Sequence, residues 1–126
     1  ELVKFGEKYS FNVVHVRNFQ DDNNNNLNEF SEKYIVIATQ GNSDLIAITE
    51  SLKIKATYIG LVASQKKYQA LKKKIIDDGV SQEKLKDIIC PAGIFINAIM
   101  PEEVALSIFA EIIELKRSGK IGSKKF

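Results

Sequence analysis

The 126-residue chain has one cysteine, two prolines, one histidine and no tryptophan. Its single cysteine, Cys90, excludes a disulfide within the chain and a metal site built from several cysteines. No apolar run approaches the roughly 20 residues that a membrane-spanning helix needs, and no secretory signal is visible. The net charge of +2 is too small to indicate a nucleic-acid partner. We therefore expect no nucleic-acid partner, no membrane partner and a cytoplasmic location, which a lone cysteine suits.

The rest of the composition is typical of a soluble globular domain. Hydrophobic residues make up 44% of the chain and charged residues 27%, and a chain of this length can bury a core as one domain. The first residue is Glu1 and not methionine, so we expect either a fragment or a chain that lacks its natural start. We predict one domain over 1–118, incomplete at its amino end, and a C-terminal tail over 119–126.

Apolar segments of strand length alternate with helical patterns along the chain. Strands are predicted, from β-branched and aromatic residues, over 11–17, 34–39 and 56–63. Helices are predicted over 1–9, 44–52, 66–78, 81–88 and 101–117. The asparagine-rich segment 18–33 is predicted to be a surface loop. This alternation favours a parallel sheet covered on both faces, so we predict a three-layer, doubly wound α/β domain.

Ligands in such sheets bind at the carboxyl ends of the strands. The segments in that position are 40–44 (QGNSD), 63–67 (ASQKK) and 91–98 (PAGIFINA), with further residues near Asn18. The first segment is either a turn with a helix cap or a site in which Gly41 permits close backbone approach. The third is either a rigid loop or part of the same site.

Hydrogen-bonding groups and lysines add to the interpretation as a site. Thr39, Asn42 and Ser43 can supply hydrogen bonds, and the amides that begin the next helix can face an anion. Lys66 and Lys67 begin another predicted helix, where positive charge opposes the helix dipole. A bound anion would relieve that conflict, whereas the competing interpretation is a solvated helix start. These segments therefore predict either an anion site at one edge of the sheet or ordinary turns.

The sequence offers no evident set of catalytic residues. His15 lies inside a predicted strand, where a structural role is the simpler interpretation. Cys90 precedes a proline in an apolar context, which favours packing over reactivity. No Ser/His/Asp arrangement, zinc-ligand spacing or acidic pair placed for acid–base chemistry is apparent. The residues by themselves therefore do not predict an enzyme.

Three blocks of sequence carry a resemblance to a known family. They are YIVIATQGNSDL at 34–45, TYIGLVASQKK at 57–67 and CPAGIFINAIMPEEVALSIFAEIIELKR at 90–117. In this order and spacing they resemble the C-terminal Rossmann-like domain of the xanthine dehydrogenase accessory protein family, which includes XdhC and CoxI. The third block is the most specific, because a P-x-G loop precedes a P-E-E-[IV]-A-x-S-I-x-A-E-I-I helix. The resemblance covers about two thirds of the chain, from Tyr34 to Arg117.

The resemblance implies an accessory factor and not an ordinary enzyme. Members of the family assist molybdenum hydroxylases of the xanthine or carbon monoxide dehydrogenase type by binding the molybdenum cofactor, protecting it and helping to insert it. The implied partner is therefore a molybdenum hydroxylase subunit, and the implied ligand is a molybdopterin or a nucleotide. The candidate cofactor-binding residues are Arg17, Thr39, Gly41, Asn42, Asp44, Gly60, Ser64, Lys66, Pro91 and Gly93.

The chain also departs from the family pattern. Ala63 and Asn97 stand where the family usually has glycine, and Phe95 stands where an acidic residue is common. His15 occupies the usual place of an aspartate near the end of its strand. The first strand and its glycine-rich phosphate turn are absent, since no GxGxxG occurs. Without that turn and an acidic residue for the ribose, we expect weak NAD(P) binding.

Two other functions stay open at the level of sequence. One is an NAD(P)-binding oxidoreductase or a nucleotide-sensing Rossmann domain, which a GxGxxG motif just upstream of Glu1 would favour. The other is a homodimerisation domain with the helix over 101–117 as its interface, although we expect the apolar face of that helix to pack on the sheet. A measurement of size in solution distinguishes the second alternative.

Overall fold

The computed structural model describes residues 1–8, 11, 32–39 and 44–120. Its elements, in chain order, are α1 (Leu2–Lys8), β1 (Tyr34–Ile37), α2 (Asp44–Leu52), β2 (Tyr58–Leu61), α3 (Gln65–Asp77), α4 (Gln82–Leu85), β3 (Ile88–Ile89) and α5 (Pro101–Ser118). The chain divides into two compact units, Arg17–Ala92 and Glu1–Val16 with Gly93–Phe126. The sheet and α2 to α4 belong to the first unit, which we call the sheet unit. The helices α1 and α5 belong to the second, which we call the helical unit.

The three strands form one parallel sheet with β2 in the middle. Tyr58 of β2 is paired with Tyr34 of β1, and Gly60 is paired with Ile89 of β3. All four residues of β2 are buried, whereas three of the four in β1 are only half-buried. A strand with neighbours on both sides and helices over its faces can be apolar at every position. The predicted α/β fold with a parallel sheet is therefore confirmed.

The predicted helices and strands agree with the structure to within a few residues, with one exception. The helix predicted over 44–52 has those bounds, and the one predicted over 66–78 begins and ends one residue earlier. The helix predicted over 81–88 is wrong in its second half, because Ile88–Ile89 form β3. Only the turn Gln82–Leu85 is helical there. The strand predicted over 11–17 lies outside the described residues except for Phe11, which is in neither a helix nor a strand.

The core of the sheet unit is built from one face of each helix. Ala47 and Ile48 of α2 are buried, as are Tyr68 and Ile75 of α3, and Leu85 of α4. They pack with the strand residues Ile37, Ile59, Leu61 and Ile88. Tyr68 and Ile75 are seven residues apart, or about two helical turns, so both lie on the buried face of α3.

Polar caps fix where the helices begin. Before α3, the Ser64 hydroxyl accepts a hydrogen bond from Lys67 N at 3.1 Å. Before α4, the Ser81 hydroxyl accepts one from Lys84 N at 3.3 Å. α5 begins with Pro101, a residue that suits the first helical position because it needs no amide hydrogen. Gly119 ends α5 in the left-handed region with φ 76.

α5 is the longest helix and it organises the helical unit. Its Phe109 stacks on Phe5 of α1 with ring centroids 5.1 Å apart, and Phe11 lies 5.2 Å from the same ring. Ile108 and Ile112 form part of the buried face of α5. Contacts between aromatic rings at these distances add about 0.5–1.5 kcal/mol each to the burial of their surface.

Gly60 is a packing requirement of β2. Tyr58 and Gly60 point to the same side of the sheet because side chains alternate along a strand. A Cβ atom added to Gly60 would lie 2.6 Å from the Tyr58 hydroxyl, 2.7 Å from its ring and 2.9 Å from Ala92 Cβ. Packing therefore accounts for glycine at this position, and a role for Gly60 in cofactor binding stays a prediction.

We expect Gly60→Ala to destabilise the domain by about 1–3 kcal/mol, because the added methyl group overpacks a buried face. Urea unfolding followed by circular dichroism measures this loss. Gly79→Ala is the comparison, since a Cβ there meets nothing within 4 Å and only the positive φ of 99 is strained. A Gly60→Ala variant as stable as the parent chain would contradict the tight packing of Tyr58 on β2.

Candidate ligand-binding site

The parallel register brings the carboxyl ends of the three strands to one edge of the sheet unit. Val62 N donates to Ile37 O at 2.9 Å, and Ala92 N donates to Leu61 O at 3.0 Å. These bonds continue the pairing just past the strands. The segments after β1, β2 and β3 therefore begin side by side, as the parallel fold predicted. We call this region the carboxyl edge.

The amino terminus of α3 lies at the carboxyl edge immediately after β2. Ser64 has extended backbone angles, and its hydroxyl oxygen is engaged as an acceptor by Lys67 N. Its hydroxyl hydrogen can still donate to a ligand. The amides of Gln65 and Lys66 have no acceptor within the helix, because the first turn of a helix lacks preceding carbonyls. The turn thus presents donors and the positive end of a dipole to the carboxyl edge.

A buried carboxylate lies beside this helix terminus. Asp44, the first residue of α2, is only 4% exposed, and its Oδ2 lies 3.4 Å from Lys67 Nζ. The amino end of α2 favours a negative charge at that position. The Lys67 side chain is 43% exposed, so solvent weakens the attraction. The ion pair holds a cation at the junction of α2 and α3, within reach of solvent.

The two lysines at the start of α3 differ in their contacts. Both side chains are exposed, and it is Lys67 that pairs with Asp44. A role for Lys66 in cofactor binding stays a prediction. Ser64 and Lys67 are three residues apart, which places them on the same side of the first turn. That spacing is the signal that could have distinguished the two lysines.

Thr39 contributes a buried hydroxyl two residues beyond β1. Its Oγ1 is inaccessible to solvent and has no hydrogen-bond partner among the described residues. A buried hydroxyl without a partner costs about 1–3 kcal/mol, so Thr39 is a candidate for contact with a ligand. Gly41 and Asn42 lie outside the described residues, and so does Arg17.

Cys90 joins β3 to the segment that follows β2. Its Sγ donates to Ala63 O at 3.2 Å, and the residue is only 7% exposed, which fits the predicted packing role. Pro91 follows it across a cis peptide bond. Nearby, the Tyr68 hydroxyl donates to Leu85 O at 3.2 Å. Burial, with a smaller contribution from Cys90, raises the pKa of Tyr68 to about 12.

The loop after β3 is held by α5 within the helical unit. Gly93 has φ 103, and a Cβ there would collide with the Ser107 hydroxyl. Gly93 N donates to Glu111 Oε1 at 2.9 Å, and Ile94 N donates to Ser107 O at 3.1 Å. Glu111 is fully buried. The backbone angle and the close approach to α5 both require glycine at position 93.

Asn97 of this loop and Glu111 of α5 add to the sequence-based predictions. Asn97 has φ 56, a left-handed conformation that glycine and asparagine adopt most readily. Asparagine is therefore a conservative replacement for the glycine usual in the family. The sequence analysis did not predict that Glu111 is buried, although it lies between Ile108 and Ile112 on an apolar face of α5. An acidic residue on such a face indicates a specific buried partner.

The described residues contain neither a cluster of metal ligands nor a helix fit to cross a membrane. No group of three or more His, Cys, Asp or Glu side chains among them is placed to hold a metal ion. Within the same residues, no helix has both the length and the apolar character needed to cross a bilayer. Among the described residues, the candidate site combines hydrogen-bond donors with the Lys67 ammonium group and the Asp44 carboxylate.

The three-stranded parallel sheet with its flanking helices defines a Rossmann-type α/β domain. The family model of the XdhC Rossmann domain matches residues 1–112. The chain therefore belongs to the XdhC Rossmann domain family, and the resemblance seen in the sequence is confirmed. The match extends upstream of the three blocks on which the resemblance was based, to residue 1.

Two similar proteins are considerably longer than this chain. One is the uncharacterized protein YqeB of Escherichia coli (strain K12), 31% identical over 91 residues, which are 72% of this chain and 17% of YqeB. The other is a solved structure described as a xanthine dehydrogenase from Bacillus halodurans, with a TM-score of 0.67 and 22% identity. The alignment covers 99% of this chain and 41% of that protein. At this identity the structural match establishes the fold.

The raised pKa of Tyr68 predicts a pH dependence of stability. The ordinary pKa of tyrosine is 10.0, and burial raises the pKa of Tyr68 to about 12. The contribution of Tyr68 to stability is therefore fully present below pH 10 and is lost as the pH rises toward 12. Between about pH 9 and pH 11, we expect the free energy of unfolding to fall less in Tyr68→Phe than in the parent chain, as measured by urea unfolding. An equal fall with pH in the two proteins would contradict the burial of this hydroxyl.

The Gly93–Glu111 contact predicts a difference between two variants. Glu111→Leu removes the acceptor of a buried amide, which we expect to cost about 1–3 kcal/mol and to speed hydrogen exchange at Gly93. Glu111→Gln keeps an acceptor oxygen of the same reach, so its Gly93 amide should stay protected. Urea unfolding and amide exchange by NMR provide the two measurements. Equal exchange rates in both variants would show that the contact does not hold the loop.

Proposed function

We propose that this domain binds the phosphate-bearing part of a molybdenum cofactor and serves as an accessory factor to a molybdenum hydroxylase. The observation that carries the proposal is the Ser64-capped start of α3 beside the Asp44–Lys67 pair. The membership in the XdhC family supports the choice of ligand. The structural neighbour described as a xanthine dehydrogenase is consistent with it.

The residues at the carboxyl edge fit the phosphate of such a ligand. A phosphate dianion can accept hydrogen bonds from the amides of Gln65 and Lys66 and from the ammonium group of Lys67. The Ser64 and Thr39 hydroxyls would add neutral hydrogen bonds. When bound, the cofactor would supply the molybdenum chemistry, which the described residues do not provide.

Asp44 has a different role from these donors. A carboxylate repels a phosphate, so Asp44 is not a phosphate ligand in this arrangement. Its 3.4 Å contact with Lys67 Nζ positions the lysine, and its oxygens also suit an N–H or O–H group of the ligand. A pterin or a nucleoside carries such donors beside its phosphate. The pairing of a carboxylate with a helix terminus thus favours a heterocyclic phosphate over a bare anion.

Lys67→Ala is expected to weaken binding of anaerobically prepared molybdopterin by about tenfold or more, because it removes a charge-assisted hydrogen bond. Lys67→Arg should retain most of the affinity, and Lys66→Ala should change it by less than about threefold if only Lys67 contacts the phosphate. Isothermal titration calorimetry gives the three affinities. Equal losses for both lysine-to-alanine variants would indicate attraction by general positive charge and contradict the assigned site.

The same titration separates this proposal from the NAD(P)-binding alternative. We expect NAD⁺ and NADP⁺ to bind this chain much more weakly than molybdopterin, since no glycine-rich phosphate turn occurs in its sequence. Affinity capture from cells that assemble a molybdenum hydroxylase should recover a subunit of that enzyme or the cofactor. Tight NAD(P) binding without retention of molybdopterin would favour the oxidoreductase alternative.

A further inference from the structure

One face of α5 carries exposed side chains on the side opposite its buried face. Leu106 is 49% exposed and Ile113 is 42% exposed. They are seven residues apart, which is two helical turns and places them on one line along the helix. Ala110 lies between them. We call the row Glu102, Leu106, Ala110, Ile113 and Arg117 the α5 stripe.

Further apolar surface lies directly before the helix. Ile99 is 85% exposed and Met100 is 54% exposed. Single exposed apolar side chains are common on soluble proteins, but several together mark a surface that contacts a partner. Since Ile99 and Met100 precede Pro101, they extend the exposed surface beyond the amino end of α5.

The two ends of α5 carry opposite charges. Glu102 and Glu103 are in the first turn, and Lys116 and Arg117 are in the last turn. Glu102 and Arg117 are equally far from the midpoint between Phe109 and Ala110, and so are Leu106 and Ile113. The α5 stripe read from one end thus has acidic, apolar, small, apolar and basic positions.

This order makes the stripe complementary to a second copy of itself. When two α5 helices pack antiparallel about a two-fold axis, each Leu106 faces Ile113 of the other copy. Each Glu102 then faces Arg117 of the other copy, and the two helix dipoles oppose each other. A parallel arrangement would instead bring like charges together, which is unfavourable.

We propose that the α5 stripe is a two-fold interface between two copies of this chain. The small side chain of Ala110 allows the helices to approach within the usual 8–10 Å between axes. Leu106 and Ile113 form the apolar centre, and the two Glu102–Arg117 pairs form its charged ends. Such a closed, self-complementary contact is the commonest arrangement of soluble homo-oligomers.

Charge exchange tests the interface and its direction together. At about 100 μM, where a contact of micromolar affinity is filled, sedimentation equilibrium should give twice the 14.1 kDa mass of one chain. Arg117→Glu places glutamates against each other at both ends and should raise the dissociation constant about tenfold or more. Combining it with Glu102→Arg restores opposite charges and should recover the dimer to within about threefold.

A matched control and a cross-link complete the test. Lys73→Glu, on the exposed surface of α3, changes the net charge by the same amount as Arg117→Glu and should leave the dimer intact. A chain with Leu106→Cys mixed with a chain with Ile113→Cys should form a disulfide-linked pair under mild oxidation. Either chain alone should form far less, and Cys90 is buried.

Three results would overturn the proposal. The first is a monomeric mass at about 100 μM, since a micromolar contact would be filled there. The second is a dimer that Arg117→Glu leaves unchanged, because the contact would then lie elsewhere. The third is a cross-link in each cysteine variant alone that equals the cross-link in the mixture, because it would indicate a parallel or random encounter of helices.

Discussion

The parallel pairing of β2 with both neighbours is the constraint on which the rest of the sheet unit depends. A strand that is paired on both sides and buried along its length must be apolar. Position 60 must be glycine because a larger side chain would collide with Tyr58. The same pairing brings the ends of β1, β2 and β3 to one edge. Every group assigned to the candidate site on this unit owes its position to that register.

Most of the fold follows from local sequence pattern. β-Branched apolar runs predicted the strands of the sheet unit, and helical patterns predicted α2 and α3. Ser64 and Ser81 cap the helices that follow them. The failure at 86–89 has a physical reason, because a four-residue helix and a two-residue strand carry too little pattern to be separated. Tertiary pairing with β2 decides the conformation of Ile88 there.

The candidate site was predicted in location but not in its detailed contacts. The carboxyl edge follows from the parallel topology, which sequence periodicity can indicate. The Asp44–Lys67 pair joins two helices, and the Gly93–Glu111 bond joins a loop to a helix. Both depend on the distance between elements, which no local pattern encodes. The family resemblance pointed to Asp44 and Gly93, whereas their partners became evident only from the three-dimensional arrangement.

Amide NMR can show whether an anion binds at the start of α3. In a titration of ¹⁵N-labelled protein with inorganic pyrophosphate, we expect saturable shifts concentrated at the amides of Gln65 and Lys66. Lys67→Ala should weaken them, because the cation held by Asp44 is lost. Shifts that instead spread over the lysines 72–74 of α3, without saturation, would contradict a specific site at the carboxyl edge.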